Sequence, residues 1–200
     1  MKKDLESQQL ALRLWRQLYR TYTLLKQCED QVIEEYELTT EQYAVLVSIS
    51  YLGEPSRITD IARWLERSTN SISMIIDRMV KGGLVKRARD KRDRRVVYVS
   101  KTSKAESLLG PANIAMFGRM LEILSPIPDK DRLTLLNLLR EVGYGTMKCV
   151  KPGVDIEKAK RDEAKQAAGI AKWLSEYSKP FAPRTKHQGG EKGKTGKKTR

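Results

Sequence analysis

The residues best suited to bind another molecule form a cluster of charges between two stretches of β-type sequence. Four cations and two carboxylates occur within residues 90–95. A guanidinium on a protruding loop can enter the narrow minor groove of DNA, where the electrostatic potential is most negative. A neighbouring carboxylate can hold that guanidinium in a fixed pose through a bidentate pair. The alternative is a solvated turn whose charges pair with one another, and the helices before the loop favour nucleic-acid binding over it.

The stretch from Thr69 to Lys81 predicts a helix with one apolar and one polar side. Asn and Ser on the polar side can hydrogen-bond to base edges, and Met can contact thymine methyl groups. Hydroxyls and free backbone N–H groups at the start of the helix suit a phosphate. Amphipathic surface helices in general have a polar side, so this helix alone is weak evidence. Over both segments, the residues that we expect to contact DNA are Ser68, Thr69, Asn70, Ser71, Ser73, Met74, Arg78, Lys81, Arg89, Asp90, Lys91, Arg92, Arg94 and Arg95.

Side chains that could perform catalysis or hold a metal are scarce. His187 is the only histidine, and Cys28 and Cys149 lie far apart and form no C-x-x-C pair. The sequence therefore gives no support to a histidine-based triad or a multi-histidine metal site, and it has neither a G-x-G-x-x-G motif nor a P-loop. We expect a protein that is not an enzyme and that uses no cofactor and no metal.

The charge of the chain indicates a polyanionic partner. Its 200 residues include 39 Lys and Arg against 25 Asp and Glu, a net charge of +14. Residues 57–95 contain 12 cations and 5 acids, and residues 151–200 contain 14 cations and 6 acids, so the rest of the chain is close to neutral. Nucleic acid is the usual partner of such a chain, and an anionic membrane surface is the main rival.

Nothing in the sequence indicates insertion into a membrane or secretion. No stretch approaches the ~20 apolar residues that span a bilayer. The first residues are charged and lack the apolar region of a secretory signal. We expect a cytoplasmic protein with no membrane partner.

Helices must position the polar helix and the charged loop. Residues 5–36 predict one long amphipathic helix, free of Pro and Gly. Thr39 and Gln42 form a capping-box pattern that opens a second helix. Residues 58–66 predict a short third helix with Thr59 as its N-cap.

Two β-type runs at 84–88 and 95–100 predict a hairpin with a long charged tip. A second capping box, from Ser103 to Glu106, opens the next helix. Pro111 lies inside that helix, where a proline can kink or split it.

The remaining segments complete a mainly α fold with a small β-hairpin wing, an α+β winged helix-turn-helix. Residues 129–142 predict a helix closed by Gly143, and residues 155–177 are compatible with a further helix. The predicted units are an N-terminal dimerisation helix (1–37), a winged helix-turn-helix domain (38–101), C-terminal dimerisation helices (102–150), an extra helical extension (151–178) and a disordered basic tail (179–200).

Residues 38–109 resemble the MarR (multiple-antibiotic-resistance regulator) family of transcription factors. The long first helix and the helices after residue 102 extend the likeness to about residues 5–147. The resemblance implies a homodimer that binds a pseudo-palindromic operator, usually as a repressor. It also implies that Arg92 enters the minor groove and that Asp90 orients it. The matching stretches are Leu38-Thr39, Ile58-Thr59-Asp60-Ile61-Ala62, Asp77-Arg78-Met79-Val80-Lys81-Gly82-Gly83-Leu84-Val85 and Asp90-x-Arg92-Asp93-x-Arg95.

The resemblance also suggests a pocket for a small aromatic effector near the dimer helices. Trp15, Tyr19, Tyr22 and Tyr43 could line it, although such residues are more often core or dimer contacts. A peroxide-sensing branch of the family has a cysteine early in its first helix, where this chain has Trp15. Cys28 has the acidic neighbours Glu29 and Asp30, which disfavour a reactive thiolate.

These observations predict a sequence-specific regulator of transcription. It would bind double-stranded DNA as a homodimer, act as a repressor and be released by a small molecule. The alternative is an architectural DNA- or RNA-binding protein without sequence preference, whose affinity comes from the basic tail. That tail could equally be a solubilising segment. The dimerisation helices could also close over their own chain.

Overall fold

The computed structural model describes residues 2–177; the basic tail predicted over residues 179–200 lies outside the described residues. The elements follow the predicted order of helices and wing, with one short strand and one longer helix that the sequence pattern did not indicate. In chain order they are α1 (Lys2–Glu34), α2 (Thr40–Leu52), β1 (Ser56–Arg57), α3 (Ile58–Trp64), α4 (Thr69–Lys81), β2 (Val85–Arg89), β3 (Val97–Lys101), α5 (Ser103–Leu124), α6 (Asp129–Val150) and α7 (Ile156–Tyr177).

A small antiparallel sheet lies beside the helix-turn-helix, with strand order β1-β3-β2. The hairpin of β2 and β3 pairs Val85 with Lys101 at its base and Arg89 with Val97 near its tip. We call residues 85–101 the wing. Ser56 and Arg57 add the third strand by pairing with Val99 and Tyr98. The predicted winged helix-turn-helix fold is therefore confirmed.

The core lies where α2, α3, α4, α5 and the wing meet the end of α1. Branched and long apolar side chains fill this core. Helix α4 turns its apolar side inward, and α2 packs against that side. The largest fully buried side chains are Ile33, Leu46, Ile49, Ile61, Ile72, Ile76, Met79, Val45, Val85 and Val99. This core fixes the orientation of α4, whose other side faces solvent.

Three helix starts show how far the local patterns predict caps. The capping box of α2 is present, with the Thr39 hydroxyl accepting from the N–H of Gln42. The predicted N-cap Thr59 is wrong, because the backbone of Arg57 is held extended by its pairing with β3 and α3 begins at once at Ile58. The capping box predicted from Ser103 is wrong by one residue, since Thr102 caps α5.

Helix α5 has its expected length, and helix α6 is longer than expected. Pro111 does not split α5, which runs unbroken from Ser103 to Leu124. An exposed proline there removes one backbone donor of the helix. Gly143 does not end α6, which continues to Val150. A glycine with a positive φ, Gly153 at 82°, follows the true end of this helix.

None of the helices within residues 2–177 is both long and apolar enough to cross a membrane.

Candidate nucleic-acid interface

Helix α4 has one buried side and one solvent-exposed side. Its N-cap is Ser68, whose hydroxyl accepts from the N–H of Ser71 at 3.1 Å. The side formed by Ile72, Ile76 and Met79 is fully buried. On the opposite side, the Met74 side chain is 68% exposed, which is unusual for a large apolar residue and leaves it free to contact a ligand.

The structure brings the predicted α4 residues to one solvent-facing surface. The positions that lie exposed or half-buried there are Ser68, Thr69, Asn70, Ser71, Ser73, Met74, Arg78 and Lys81. Ser68 has a structural task as well, because its hydroxyl satisfies one of the free N–H groups at the start of the helix. Any phosphate at this end would use the remaining N–H groups and the neighbouring hydroxyls.

The tip of the wing is shaped by the Asp90 carboxylate. One of its oxygens accepts from the backbone N–H of Arg92 at 2.7 Å and of Asp93 at 2.9 Å. The backbone N–H of Asp90 donates to the Val96 carbonyl at 3.0 Å and closes the base of the tip. Asp93 in turn accepts from the N–H of Arg95 at 3.0 Å. The two acids of the tip therefore fix its backbone.

This arrangement corrects the expected pairing of Asp90 with the guanidinium of Arg92. The carboxylate is already occupied by two backbone donors, so it orients Arg92 through the main chain. Within residues 2–177, the guanidinium of Arg92 has no ion-pair partner. The other cations of the wing tip are exposed in the same way, at Arg89, Lys91, Arg94 and Arg95.

Hydrogen bonds and charges also set the ionisation of the tip. The pKa of Asp90 is lowered, first by the backbone N–H of Asp93, then by that of Arg92, with a smaller contribution from the Arg57 cation. Arg57 lies 5.7 Å from the ring centroid of Tyr98 on β3. Its own pKa is raised, chiefly by a hydrogen bond to Tyr98. The carboxylate thus remains ionised at neutral pH, as its acceptor role requires.

Arg87 joins the wing to α4 in a way that sequence reasoning missed. Its guanidinium pairs with the Asp77 carboxylate and donates to the Ser73 carbonyl at 3.0 Å. Two donors on one planar group hold the hairpin and the helix at a fixed angle. Ser73 and Asp77 lie one turn apart on α4, but Arg87 lies on β2, so no local pattern could have indicated the contact.

A second missed contact ties α4 to α2. The Glu41 carboxylate lies 3.3 Å from the guanidinium of Arg67 and 3.8 Å from that of Arg78. Arg78 is one of the predicted DNA-contacting residues. Its side chain remains 67% exposed, so this loose pair leaves it accessible to a phosphate.

The four aromatic residues predicted to line an effector pocket do not meet in one place. The rings of Trp15 and Tyr19 lie 6.0 Å apart on the exposed part of α1. Tyr43 packs against the core from α2, and burial raises its pKa. Tyr22 lines two clefts, of about 280 and 210 Å³, and the other three residues line neither of them.

The smaller cleft, of about 210 Å³, is the more polar one and reaches the base of α4. Tyr22 and Lys26 of α1 form one wall, and Arg67, Ile72 and Ile75 contribute to the other. The larger cleft lies between α1 and α5 and includes Cys28 and Met116. Across residues 2–177, no group of three or more His, Cys, Asp or Glu side chains could hold a metal ion.

Large apolar side chains on α1, α5 and α6 remain uncovered within one chain. On α1, the side chains of Leu12, Trp15 and Tyr22 are exposed, and α6 has no buried residue at all. On α5 and α6 the exposed set is Ile114, Met120, Leu121, Ile123, Leu133, Leu135, Leu136, Leu138, Leu139, Val142 and Val150. An apolar surface of this extent is typical of a protein interface.

Comparison with known proteins gives consistent results. The family model described as "MarR family" matches residues 38–97. The transcriptional activatory protein BadR of Rhodopseudomonas palustris is 33% identical over 119 residues, which cover 56% of this chain and 68% of BadR. The uncharacterized HTH-type transcriptional regulator YpoP of Bacillus subtilis is 26% identical over 62% of this chain and 92% of its own length.

Solved structures share the fold. The organohalide-sensing regulator RdhR with bound 2,4-dichlorophenol superposes with a TM-score of 0.66 at 21% identity, covering 72% of this chain and 85% of that one. Overoxidized AbfR bound to DNA gives a TM-score of 0.57 at 24% identity, over 72% of this chain and 98% of that one. Both likenesses support the winged-helix architecture described above.

Proposed function

The chain belongs to the MarR family of transcriptional regulators, and on that premise we propose that it binds a pseudo-palindromic operator as a homodimer and represses transcription there. A small aromatic molecule releases it from the operator. The proposal has four parts: sequence-specific binding, dimerisation, repression and release by an effector. A different observation supports each part.

The observation that carries the proposal is the joint placement of α4 and the wing tip. Arg87 holds the two at a fixed angle through Asp77 and Ser73. Helix α4 offers Asn70 and Ser73 to base edges in the major groove. The wing tip offers the guanidinium of Arg92, which has no ion-pair partner within residues 2–177, to the adjacent minor groove. Uncharged hydrogen-bonding groups on α4 suit the reading of sequence more than general attraction to a polyanion.

A homodimer supplies the second half-site. One helix-turn-helix contacts only a few base pairs, and two related by a twofold axis reach half-sites about one turn apart, roughly 10 bp. The exposed apolar side chains of α1, α5 and α6 offer a self-complementary surface for such an axis. A second copy of the chain would cover them from water.

Repression follows from occupancy, since a dimer bound over a promoter excludes the polymerase. BadR is named an activatory protein, so the position of the operator relative to the promoter decides the direction. We assign repression to this chain because the resemblance of its wing and α4 is to a family of mostly repressors. We also propose that it acts in the cytoplasm, since the DNA that it would bind lies inside the cell.

The effector proposal rests on the cleft of about 210 Å³ at the base of α4. Arg67 lines that cleft and immediately precedes Ser68, the N-cap of α4. An aromatic acid or phenol held there between Tyr22 and Arg67 would compete with Glu41 for the guanidinium. That competition would move the start of α4, and the DNA complex would weaken.

The experiment that tests the function is selection of duplexes from a random-sequence library by the full-length protein, followed by footprinting. We expect an enriched motif with two inverted half-sites and protection across both. A reporter driven by a promoter containing that motif should fall in activity when the protein is present. Titration of the complex with 2,4-dichlorophenol, the ligand of the RdhR structure, provides a first probe of release.

Binding without an enriched motif would overturn the proposal. It would favour the alternative of an architectural protein whose affinity comes from charge, and the affinity would then fall equally for every sequence as salt rises. Protection of a single half-site would overturn the homodimer.

A further inference from the structure

Helix α7 connects the dimerisation helix α6 to the reading head, a term we use for residues 58–101. α7 packs against α2, and its Lys160 and Glu163 side chains contact α6. Helix α6 has no buried residue of its own, so the polar contacts of its second half contribute to its position. Those contacts are concentrated on one acid of α7 and one lysine just beyond α6.

Glu163 is the acid that joins α7 to α6. Its carboxylate accepts from the Tyr144 hydroxyl at 2.6 Å and pairs with the guanidinium of Arg140. Lys160, one turn earlier, lies 5.8 Å from the centroid of the Tyr144 ring. Glu163 and Arg140 are each about one-third exposed, so these charges meet in a partly desolvated place.

Lys151 joins the end of α6 to the reading head. Its Nζ lies 2.7 Å from a carboxylate oxygen of Glu66. Glu66 has a positive φ of 51° and belongs to the turn between α3 and α4. The turn of the helix-turn-helix is therefore tied to α6 by a contact that bypasses α5.

These contacts make a closed path from α6 through α7 to α2 and the turn. Without this path, the chain itself joins the reading head to α6 through α5 and the linker at 125–128. With it, the angle between α6 and α4 has two independent supports. In a dimer formed through α6, that angle determines the distance and rotation between the two copies of α4.

We propose that Glu163, with Lys151, is a positioning residue that sets which half-site spacing the dimer accepts. The inference rests on the proposed function, since it requires a dimer on two half-sites. Neither residue needs to touch DNA. One base pair inserted between half-sites rotates one of them by about 35° about the helix axis, so a rigidly held pair of heads discriminates strongly between spacings.

The test compares two double variants of the full-length protein on duplexes from the random-library selection. Lys151→Ala/Glu163→Ala removes one cation and one acid from the connecting path. Asp162→Ala/Lys165→Ala removes one cation and one acid from a pair that joins α7 only to itself. Both leave the net charge unchanged. Affinities are measured by fluorescence anisotropy on the selected duplex and on duplexes with one base pair inserted or deleted at the centre.

We expect the wild type and the control to lose about tenfold or more in affinity when the spacing changes by one base pair, because the misplaced head cannot reach its half-site. The Lys151→Ala/Glu163→Ala variant should lose much less and bind the selected duplex almost as tightly as the wild type. The readout is the ratio of the affinity for the selected duplex to the affinity for a duplex of altered spacing. Tyr144→Phe, which removes only the hydroxyl that donates to Glu163, should lower this ratio as well.

An unchanged ratio in both Lys151→Ala/Glu163→Ala and Tyr144→Phe would overturn the inference and leave the proposed function intact. An equal change in the control would overturn it as well, since the effect would then be general to α7. Failure of the selection to yield two half-sites would overturn the proposed function and this inference together.

Discussion

At the wing tip, Arg92 combines a fixed backbone with a free guanidinium. The backbone N–H of Arg92 donates to the Asp90 carboxylate at 2.7 Å. The guanidinium of Arg92 has no ion-pair partner within residues 2–177. A cation that is already oriented loses less freedom when it enters the minor groove. We therefore expect Arg92→Ala to weaken operator binding by about 1–3 kcal/mol, as measured by anisotropy titration at constant salt.

Arg119→Ala is the control, since it also removes one exposed guanidinium, from α5, where the cation pairs with Glu122 at 2.8 Å. It should leave operator affinity within about twofold of the wild type, as expected for a charge outside the interface. Equal losses in the two variants would contradict a specific role for Arg92 and indicate a general effect of charge.

Asp90 gives the wing a predictable response to acid. Its pKa is lowered, so the ionised carboxylate stabilises the folded tip above the ordinary aspartate pKa of about 3.9, and this contribution is lost as the pH falls through the lowered value. The amide signals of Arg92 and Asp93 should therefore titrate with a midpoint below the ordinary value in an NMR experiment. In Asp90→Asn this titration should disappear. A midpoint at or above the ordinary value would refute the two backbone hydrogen bonds.

At the scale of the elements, the start of α5 separates a real cap from an apparent one. The Thr102 hydroxyl accepts from the N–H of Ala105 at 3.2 Å and lies 2.7 Å from the Gly83 carbonyl. Ser103, the cap that the sequence pattern predicts, is exposed. Thr102→Ala should lower the free energy of unfolding by about 1 kcal/mol, and Ser103→Ala should change it by less than about 0.5 kcal/mol. Urea denaturation of both variants measures these free energies. A larger loss in Ser103→Ala than in Thr102→Ala would show that Ser103 is the cap.

Elements with strong periodicity were predictable from the sequence, and elements defined by distant partners were not. Helix α4 matches its predicted bounds because its apolar spacing, its N-cap and Gly82-Gly83 all agree. Strand β1 has two residues and no periodicity, and it exists because Ser56 and Arg57 meet β3. Helix α6 passes Gly143 because the following turn is held by Tyr144 against Glu163.

The same distinction applies to the candidate site. The residue types of α4 and the wing predict a surface for DNA, because the polar side of a helix and the charged tip of a hairpin are both local patterns in the sequence. The pairing of Arg87 with Asp77, and of Glu41 with Arg67 and Arg78, depends on how separate elements pack. Sequence spacing carries no information about such contacts, so which cations are free and which are internally paired had to come from the structure.

Across the whole molecule, charge and apolar surface are segregated. Residues 57–95 carry a net charge of +7, while residues 1–56 and 96–150 together carry −1. The nearly neutral part includes α1, α5 and α6, whose large apolar side chains are exposed within one chain. A nearly neutral apolar surface is suited to self-association, because two copies of it do not repel each other. The cationic reading head lies outside this surface.

This segregation predicts that the chain is a dimer at micromolar concentration and that carboxylates on the apolar surface dissociate it. Leu12 and Leu138 are 71% and 61% exposed within one chain, so Leu12→Glu/Leu138→Glu should leave each protomer folded. Burying two carboxylates without partners costs several kcal/mol, and the dimer should weaken by at least about 100-fold. Sedimentation velocity should then show a monomer.

The matched control is Gln9→Glu/Thr134→Glu, which adds the same charge to the same two helices at exposed polar positions. It should remain a dimer. On the selected operator, the Leu12→Glu/Leu138→Glu variant should lose simultaneous protection of both half-sites, although α4, the wing and their internal pairs are untouched. A wild-type chain that sediments as a monomer at micromolar concentration would contradict the dimer, because the exposed leucines of α6 would then have no second copy to cover them.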